Sequence, residues 1–318
     1  MKTFFKRFYQ NSALGFYILK PIVEVYHFFL FHKYLSDKDF IKKLYKKGHG
    51  VDINLENPKT LNEKINWLKL NYDKPLFNKI ADKFAVREYV KEKIGEEYLV
   101  PLLFHSTSLK DIVPAKLPDM PFILKVNHNS SGGIMIKNKN ENVNWNQIQN
   151  TLRWNMADNY YWHSREKQYK NIKPRIIAEK LLIDSKGNSI PLDYKVHCFN
   201  GKARMIQVDM GRGTNNHCRN WYSTKWEREP YKWTANKGAG KFTEPSENDI
   251  EKPKSFDEMI SQSEKLAKDF IYVRVDWYDI DGKLYFGELT LHHDGGLRPI
   301  EPGIWDLKLG EQLQLPIV

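Results

Sequence analysis

Tyr272-Val273-Arg274-Val275-Asp276-Trp277-Tyr278-Asp279-Ile280-Asp281-Gly282-Lys283-Leu284-Tyr285-Phe286-Gly287-Glu288-Leu289-Thr290 reads as two β-strands joined around Asp281-Gly282. Register decides its chemistry, because side chains alternate and a slip of one residue moves each to the other face. A two-residue turn pairs Asp276 with Gly287 and sends Asp276 and Glu288 to opposite faces. A three-residue loop, residues 280–282 with Gly282 left-handed, pairs Arg274 with Glu288 instead. This second register is the expectation: Arg274, Asp276, Glu288 and Thr290 share one face, and Val275, Trp277, Leu289 and Leu291 the other. Two carboxylates and an arginine are costly to bury without partners. Hard oxygen ligands side by side suit Mg²⁺, which in nucleotide sites takes one or two carboxylates and completes its shell with phosphate oxygens and water. A solvated face with a cross-strand Arg-Glu pair is the alternative, and the hairpin alone prefers it. If the carboxylates adjoin, their repulsion implies that an amide at either position costs little stability.

Upstream of the hairpin, residues 192–199 and 202–210 flank Asn200-Gly201, a two-residue hairpin signal. That turn puts Asp193, Lys195, His197 and Arg204 on one face. Residues 175–183 read as a largely buried strand ending in the Lys186-Gly187-Asn188 turn. Within it Glu179-Lys180 is anomalous, since charged residues are seldom buried unpaired, and a structural ion pair is the plain explanation. Residues 122–126, 127–133 and 134–136 read as strand, glycine-rich loop, strand. Lys125 closes the first strand, where an ammonium would meet phosphate while Ser130, Ser131, Gly132 and Gly133 close over it. An ordinary hairpin loop is the alternative, and neither the Walker A nor the Rossmann pattern is present.

The first hundred residues are mainly helical in pattern. Thr60 with Glu63 forms a capping-box signal before Ile65, Trp67 and Leu68. Residues 76–94 read as a second amphipathic helix ending at Gly95, residues 145–161 as a helix, and Ser255 as the cap of another reaching about Phe270. Residues 211–253 lack a period and carry Trp221, Trp226 and Trp233, which suits either stacking on sugars or core packing.

Forty-one per cent hydrophobic residues and 43 aromatics in 318 residues exclude a disordered or low-complexity chain. Two cysteines cannot form a disulfide framework or a four-cysteine zinc site, so a reducing compartment, the cytosol, is expected. A net charge of +11 predicts attraction to polyanions, from nucleotide phosphates and acidic polysaccharide to nucleic acid and anionic lipid. Residues 1–50 interleave lysines with aromatics, and residues 13–31 are strongly apolar. Lys20, Pro21 and Glu24 interrupt that run short of the ~20 apolar residues a spanning helix needs. Peripheral contact with the inner face of the membrane, or an amphipathic helix packed on the body, follows.

The order of these pieces resembles the ATP-grasp superfamily, and in detail its teichuronopeptide-biosynthesis (TupA-like) branch. It is carried by residues 60–69, 82–90, 122–133, 193–201 and 274–290, which span about four-fifths of the chain. The resemblance implies an α+β, ATP-grasp fold: two α+β subdomains clasping nucleotide, preceded by a helical N-terminal region. The division expected is a basic aromatic segment (1–50), a helical region (51–115), a subdomain with the glycine-rich loop (116–183) and one with the metal site (184–318). It implies Lys125 and Lys180 on ATP phosphates, Glu179, Lys180, Leu181 and Leu182 against adenine, Asp193 in the nucleotide set, and Asp276 and Glu288 on Mg²⁺. Thr290 stands where relatives commonly carry a metal-binding Asn, and Leu291-His292-His293-Asp294-Gly295-Gly296 replaces a proline-glycine-small-residue run.

ATP-grasp ligases activate a carboxylate as acyl phosphate and let an amine or other nucleophile displace phosphate. Such chemistry needs positioning and positive charge where negative charge develops. Arg274 is the expected holder of the acyl-phosphate oxygens, with Lys195 second. For this branch the implied substrates are a uronic acid carboxyl of a cell-surface polysaccharide, or its lipid-linked precursor, and an amino acid or other amine. A metal-dependent glycosyltransferase is the alternative from another class, but no Asp-x-Asp triplet stands at a strand end. A nucleic-acid-binding module finds no motif in support.

Overall fold

The period-two pattern around Lys125 is realised in the computed structural model, which describes residues 8–9, 12–29, 35–130, 132–141, 143–185, 187, 192–212, 214–234, 236–238 and 241–316. The chain forms two units, one of residues 1–40, 82–85 and 101–181, the other of residues 41–81, 86–100 and 182–318.

In the first unit, β1 (Leu102–Ser106), β2 (Phe122–Val126), β3 (Ile134–Ile136) and β4 (Ile176–Lys180) make an antiparallel sheet in the order β1-β4-β2-β3. Phe122, Leu124 and Val126 alternate inward and meet Ile136, Ile148 and Ala178, with Ile148 and Leu152 supplied by the helix Trp145–Ala157. That helix is shorter than the pattern predicts, because Asp158 turns extended. β4 is also shorter: beyond the Lys180–Phe122 pair the residue opposite is Pro121, which accepts from the Leu181 N–H but has no N–H to return, so the ladder ends there. Lys186 and Asn188 of the expected turn lie outside the described residues, as do Lys2, Lys6, Arg7 and Lys33 of the basic segment. The apolar run forms the helix Ala13–Phe28, capped by Ser12.

In the second unit, β5 (Asp193–Phe199), β6 (Lys202–Met210), β7 (Cys218–Ser223), β11 (Tyr272–Ile280) and β12 (Lys283–Thr290) form one antiparallel sheet, ordered β12-β11-β5-β6-β7. Between β7 and β11 lie β8 (Lys232–Trp233), β9 (Asn236–Gly238) and β10 (Lys241–Phe242), with β8 pairing to β13 (Ile300–Glu301). One face of the large sheet is apolar, with Val196, Ile206, Val275, Trp277 and Leu289 against the helix Phe256–Ala267. The other face is apolar at one end. There Phe199, Met205, Trp221 and Tyr272 meet Leu61, Ile65 and Leu68 from the helix Leu61–Asn71 and Leu309 from Ile304–Gln312. Its remaining part is charged.

Several expectations are corrected. Residues 76–94 form two helices, Pro75–Ala81 and Val86–Lys93, because the Asp82 carboxylate accepts from the Phe84 and Ala85 backbone N–H groups and offers the chain a turn. Residues 211–253 are not one long loop, since β7 extends the sheet. Trp221 and Trp233 are fully buried and Trp226 stacks on Tyr222 at 4.5 Å, so all three serve packing rather than an open sugar platform. Thr60 and Glu63 do form the capping box. Ser255 does not cap its helix; its hydroxyl donates to Asp279 instead.

Candidate active site

In the hairpin of β11 and β12, Ile280 pairs with Lys283, so the turn holds two residues, Asp281 and Gly282, at φ 54° and 89°. The expected three-residue loop is absent. Parity is restored by a bulge: Trp277 pairs with Phe286 but Val275 with Leu289, which leaves Gly287 and Glu288 opposite Asp276. Gly287 suits the bulge because a Cβ there would lie 3.1 Å from the Asp276 carbonyl oxygen. Arg274, Asp276, Glu288 and Thr290 therefore share a face, as expected, by a different route.

That face is a chain of opposite charges. Arg274 donates from Nε to Asp276 Oδ1 and from Nη2 to Asp276 Oδ2, both at 2.6 Å, and from Nη2 to Glu288 Oε1 at 2.9 Å. Lys195 donates to Asp276 Oδ2 at 2.7 Å and to Asp193 Oδ2, which also receives Arg212 Nη1 at 2.8 Å. The Thr290 hydroxyl donates to Glu288 Oε1 at 3.1 Å. Asp193, Lys195, Arg274 and Asp276 are buried, while the Glu288 side chain is 37% exposed. Burial pushes the Asp276 carboxyl up against the pull of Arg274 and Lys195. Burial also opposes the Arg274 charge, but Asp276 and Glu288 outweigh it and hold the guanidinium well above its ordinary value. Glu288 and Asp193 add to the upward push on Asp276, so the expected repulsion is present and is opposed by Arg274 and Lys195.

The face continues through residues the sequence reading did not single out. A second bulge, where His197 pairs with Met205 but Cys198 with Ala203, turns Arg204 out to solvent instead of onto this face. Gln207 and Asp209 take its place. Tyr272 Oη lies 2.9 Å from His197 Nδ1, His197 Nε2 lies 3.4 Å from Gln207 Oε1, and Gln207 donates to Asp209 Oδ2 at 2.7 Å. Asp209 Oδ1 accepts from Arg219 at 2.9 Å, and burial is outweighed by Arg219 and His217, which hold this carboxyl well below its ordinary range. The alternation Met205, Gln207, Asp209 against Ile206 and Val208 was the available signal. His293 accepts from Arg274 Nη1 at Nδ1, 2.8 Å, so its proton sits on Nε2. That atom is buried 3.4 Å from Asp294 Oδ2 and makes no aligned hydrogen bond.

In the first unit, Lys125 and Glu179 meet at 2.5 Å across β2 and β4. Lys180 stands exposed, its register placing it with Phe122 on the opposite face. The Leu181 N–H donates to the Pro121 carbonyl at 3.1 Å, and Leu182 follows the strand. The glycine-rich loop is pinned at its start: Asn127 donates to Asp82 at 2.8 Å and accepts the Arg175 N–H at 2.7 Å, and Lys83 donates to the Asn129 carbonyl. Ser130 is exposed, and a Cβ at Gly132 would meet nothing within 4 Å, whereas one at Gly133 would lie 2.4 Å from Ile123 Cγ1. Ser131 lies outside the described residues.

The donor set on the second unit's face fits a hard cation. Asp276 and Glu288 adjoin across the bulge, and Asp193 Oδ1 is buried without a hydrogen-bond partner. Among the described residues no three His, Cys, Asp or Glu side chains make a ready cage. A cation that draws the rest of its shell from phosphate oxygens and water needs none.

A family model described as TupA-like ATP-grasp matches residues 63–314, which is 252 of the 318 residues. Among solved structures, the chain is similar to the ATP-grasp ligase PsnB complexed with a minimal precursor, at 11% identity and TM-score 0.41, covering 78% of this chain and 64% of that one. D-alanine–D-alanine ligase from Bacillus anthracis shares 16% identity at TM-score 0.40, covering 74% and 67%. The corresponding ligase from Helicobacter pylori shares 13% at TM-score 0.42, covering 81% and 68%. The chain thus spans about two thirds of the length of these proteins. No curated protein matches it. The family match, over the same stretches that build the charged face and the glycine-rich loop, settles the classification: the chain belongs to the TupA-like ATP-grasp family.

Proposed function

We propose that the protein joins a carboxylate to an amine with consumption of ATP, through an acyl phosphate. The carboxylate is a uronic acid of a capsular or cell-envelope polysaccharide, or of its lipid-linked precursor, and the amine an amino acid or similar nucleophile. One observation carries the reading: Arg274 and Lys195 are buried on one face with Asp276, Asp193 and Glu288, so each cation can trade a carboxylate for a phosphoryl or acyl oxygen. In this reading Arg274 turns its planar fork to two oxygens of the acyl phosphate, and Lys195 neutralises charge on the same group. Lys125 binds nucleotide phosphates with Ser130, Ser131, Gly132 and Gly133 over them, residues 179–182 lie against adenine, Lys180, which β4 turns to the face opposite Lys125, would reach phosphate only from the exposed end of its strand, and Asp193 is assigned to nucleotide on its own sheet. Asp276 and Glu288, steadied by Thr290, would hold Mg²⁺, which supplies charge neutralisation at the phosphoryl oxygens. Little proton transfer from side chains is required.

The family match sets the glycosyltransferase alternative aside, and nucleic acid has no part in the reading. Cytoplasmic work at the inner membrane face belongs to it; among the described residues no helix is long and apolar enough to cross a membrane. Purified protein, ATP and Mg²⁺ are incubated with a panel of uronic-acid glycans and amino acids. ADP release that requires both partners, with a product mass equal to the two less water, supports the proposal. UDP-sugar turnover without ADP would overturn it.

A further inference from the structure

The helix Ala13–Phe28 keeps Gly15 and Phe16 buried, with Gly15 so close to Phe8 that a Cβ would lie 2.2 Å from its carbonyl oxygen. Its other side is apolar and open. Leu14, Ile18, Ile22 and Val25 are 54–65% exposed, and at ~100° per residue they fall within an arc of ~80°. Lys20 and Glu24, which pair at 3.5 Å, lie away from that stripe. Next to it runs a cleft of about 850 Å³ whose walls include Ile22, Val23, Trp154 and Trp162 together with the charged Lys20, Glu24 and Asp158. A soluble surface seldom leaves so continuous an apolar patch to water.

We infer that this face is an in-plane membrane anchor whose occupant is an anionic lipid bilayer: the stripe enters the headgroup–acyl boundary, and the adjoining cleft, apolar and charged by turns, stays at headgroup depth. Three observations choose this occupant. Sixteen residues rise only ~24 Å, short of the ~30 Å hydrocarbon core, so the helix lies on a bilayer rather than through it. Pro21 inside the helix leaves the Tyr17 carbonyl without its usual N–H donor, which water and headgroups satisfy at the interface, whereas in hydrocarbon a neighbouring polar group would have to do so. Residues 1–40, the N-terminal segment of the unit that carries the helix, hold six Lys and Arg against three Asp and Glu, a net +3, the complement of anionic headgroups. Trp154 and Trp162 at the cleft are the amphipathic aromatics that favour this depth. The inference rests on the stripe and the charge, not on the ligase reading, and vesicle binding without any ADP release would leave it standing.

The test is co-sedimentation of the full chain with vesicles of mixed phosphatidylglycerol and phosphatidylcholine, against phosphatidylcholine alone. Wild type should sediment with the anionic vesicles, less at high salt, and only weakly with neutral ones. Ile18→Ser with Ile22→Ser, both at exposed positions, should lower partitioning at least about tenfold while thermal unfolding is unchanged. Equal sedimentation of variant and wild type overturns the inference. So does a wild-type dimer that the double variant dissociates, because a second copy would then cover the stripe. Should the variant misfold, tryptophan emission of the wild type decides: a blue shift on adding anionic vesicles supports insertion, and no shift refutes it.

Discussion

Replacing Asp276 by Asn removes one negative charge from an array in which buried Lys195 and Arg274 and exposed Arg212 balance buried Asp193 and Asp276 and the part-exposed Glu288. The amide nearly preserves shape, so packing is unaffected and the change is electrostatic. Arg274 loses a two-point carboxylate partner but keeps Glu288 at 2.9 Å, and Lys195 loses a 2.7 Å partner but keeps Asp193. Removing one partner of a buried pair costs about 3–5 kcal/mol, and the two surviving contacts reduce this to about 2–4 kcal/mol. Glu288→Gln, at a side chain 37% exposed, should cost under about 1 kcal/mol. Urea unfolding with m unchanged measures both, and ADP release should vanish in each variant. An Asp276→Asn protein as stable as wild type would refute the ion network and restore the picture of two repelling carboxylates that sequence alone suggests.

Arg274→Lys should retain ATP binding but lower ADP release about 10²–10³-fold, the size expected when a donor to developing charge is lost; unchanged turnover would remove Arg274 from the reaction. Lys125→Ala should weaken ATP binding by calorimetry without unfolding the protein, since its ammonium meets Glu179 rather than filling the core, and an unchanged affinity contradicts its role. His197 and His293 are held neutral, burial first and nearby charged groups next pushing both well below their ordinary value. The unfolded chain therefore takes up protons that the folded one refuses once pH drops below about 6.5. Their contribution is intact above that pH and falls by up to about 1.4 kcal/mol per unit per histidine below it. Urea midpoints followed downward from neutrality should show this slope, and His293→Gln should flatten it by one histidine's share.

Local chemistry was legible where neighbours in sequence decide it and no distant group competes, as Asp279 competes for the Ser255 hydroxyl. The Thr60–Glu63 capping box, the Asn200-Gly201 turn and the alternation through Phe122, Leu124 and Val126 need only adjacent residues, and all three form as read. The membership of the charged face was legible in part, since Arg274, Asp276, Glu288 and Thr290 stand at positions whose parity a hairpin fixes once the register is known. What sequence could not supply was the register itself. The bulge at Gly287 and the one that expels Arg204 arise where two strands must also satisfy a third, and no pattern within one strand encodes that. For the same reason Gln207 and Asp209 were missed: their alternation with Ile206 and Val208 marks a shared face, but only pairing to β5 joins that face to the site. Only the tertiary structure set Lys195 and Arg274 on Asp276, because a buried charge chooses its partner from whatever the sheet brings within about 3 Å, across 81 residues in one case and two in the other.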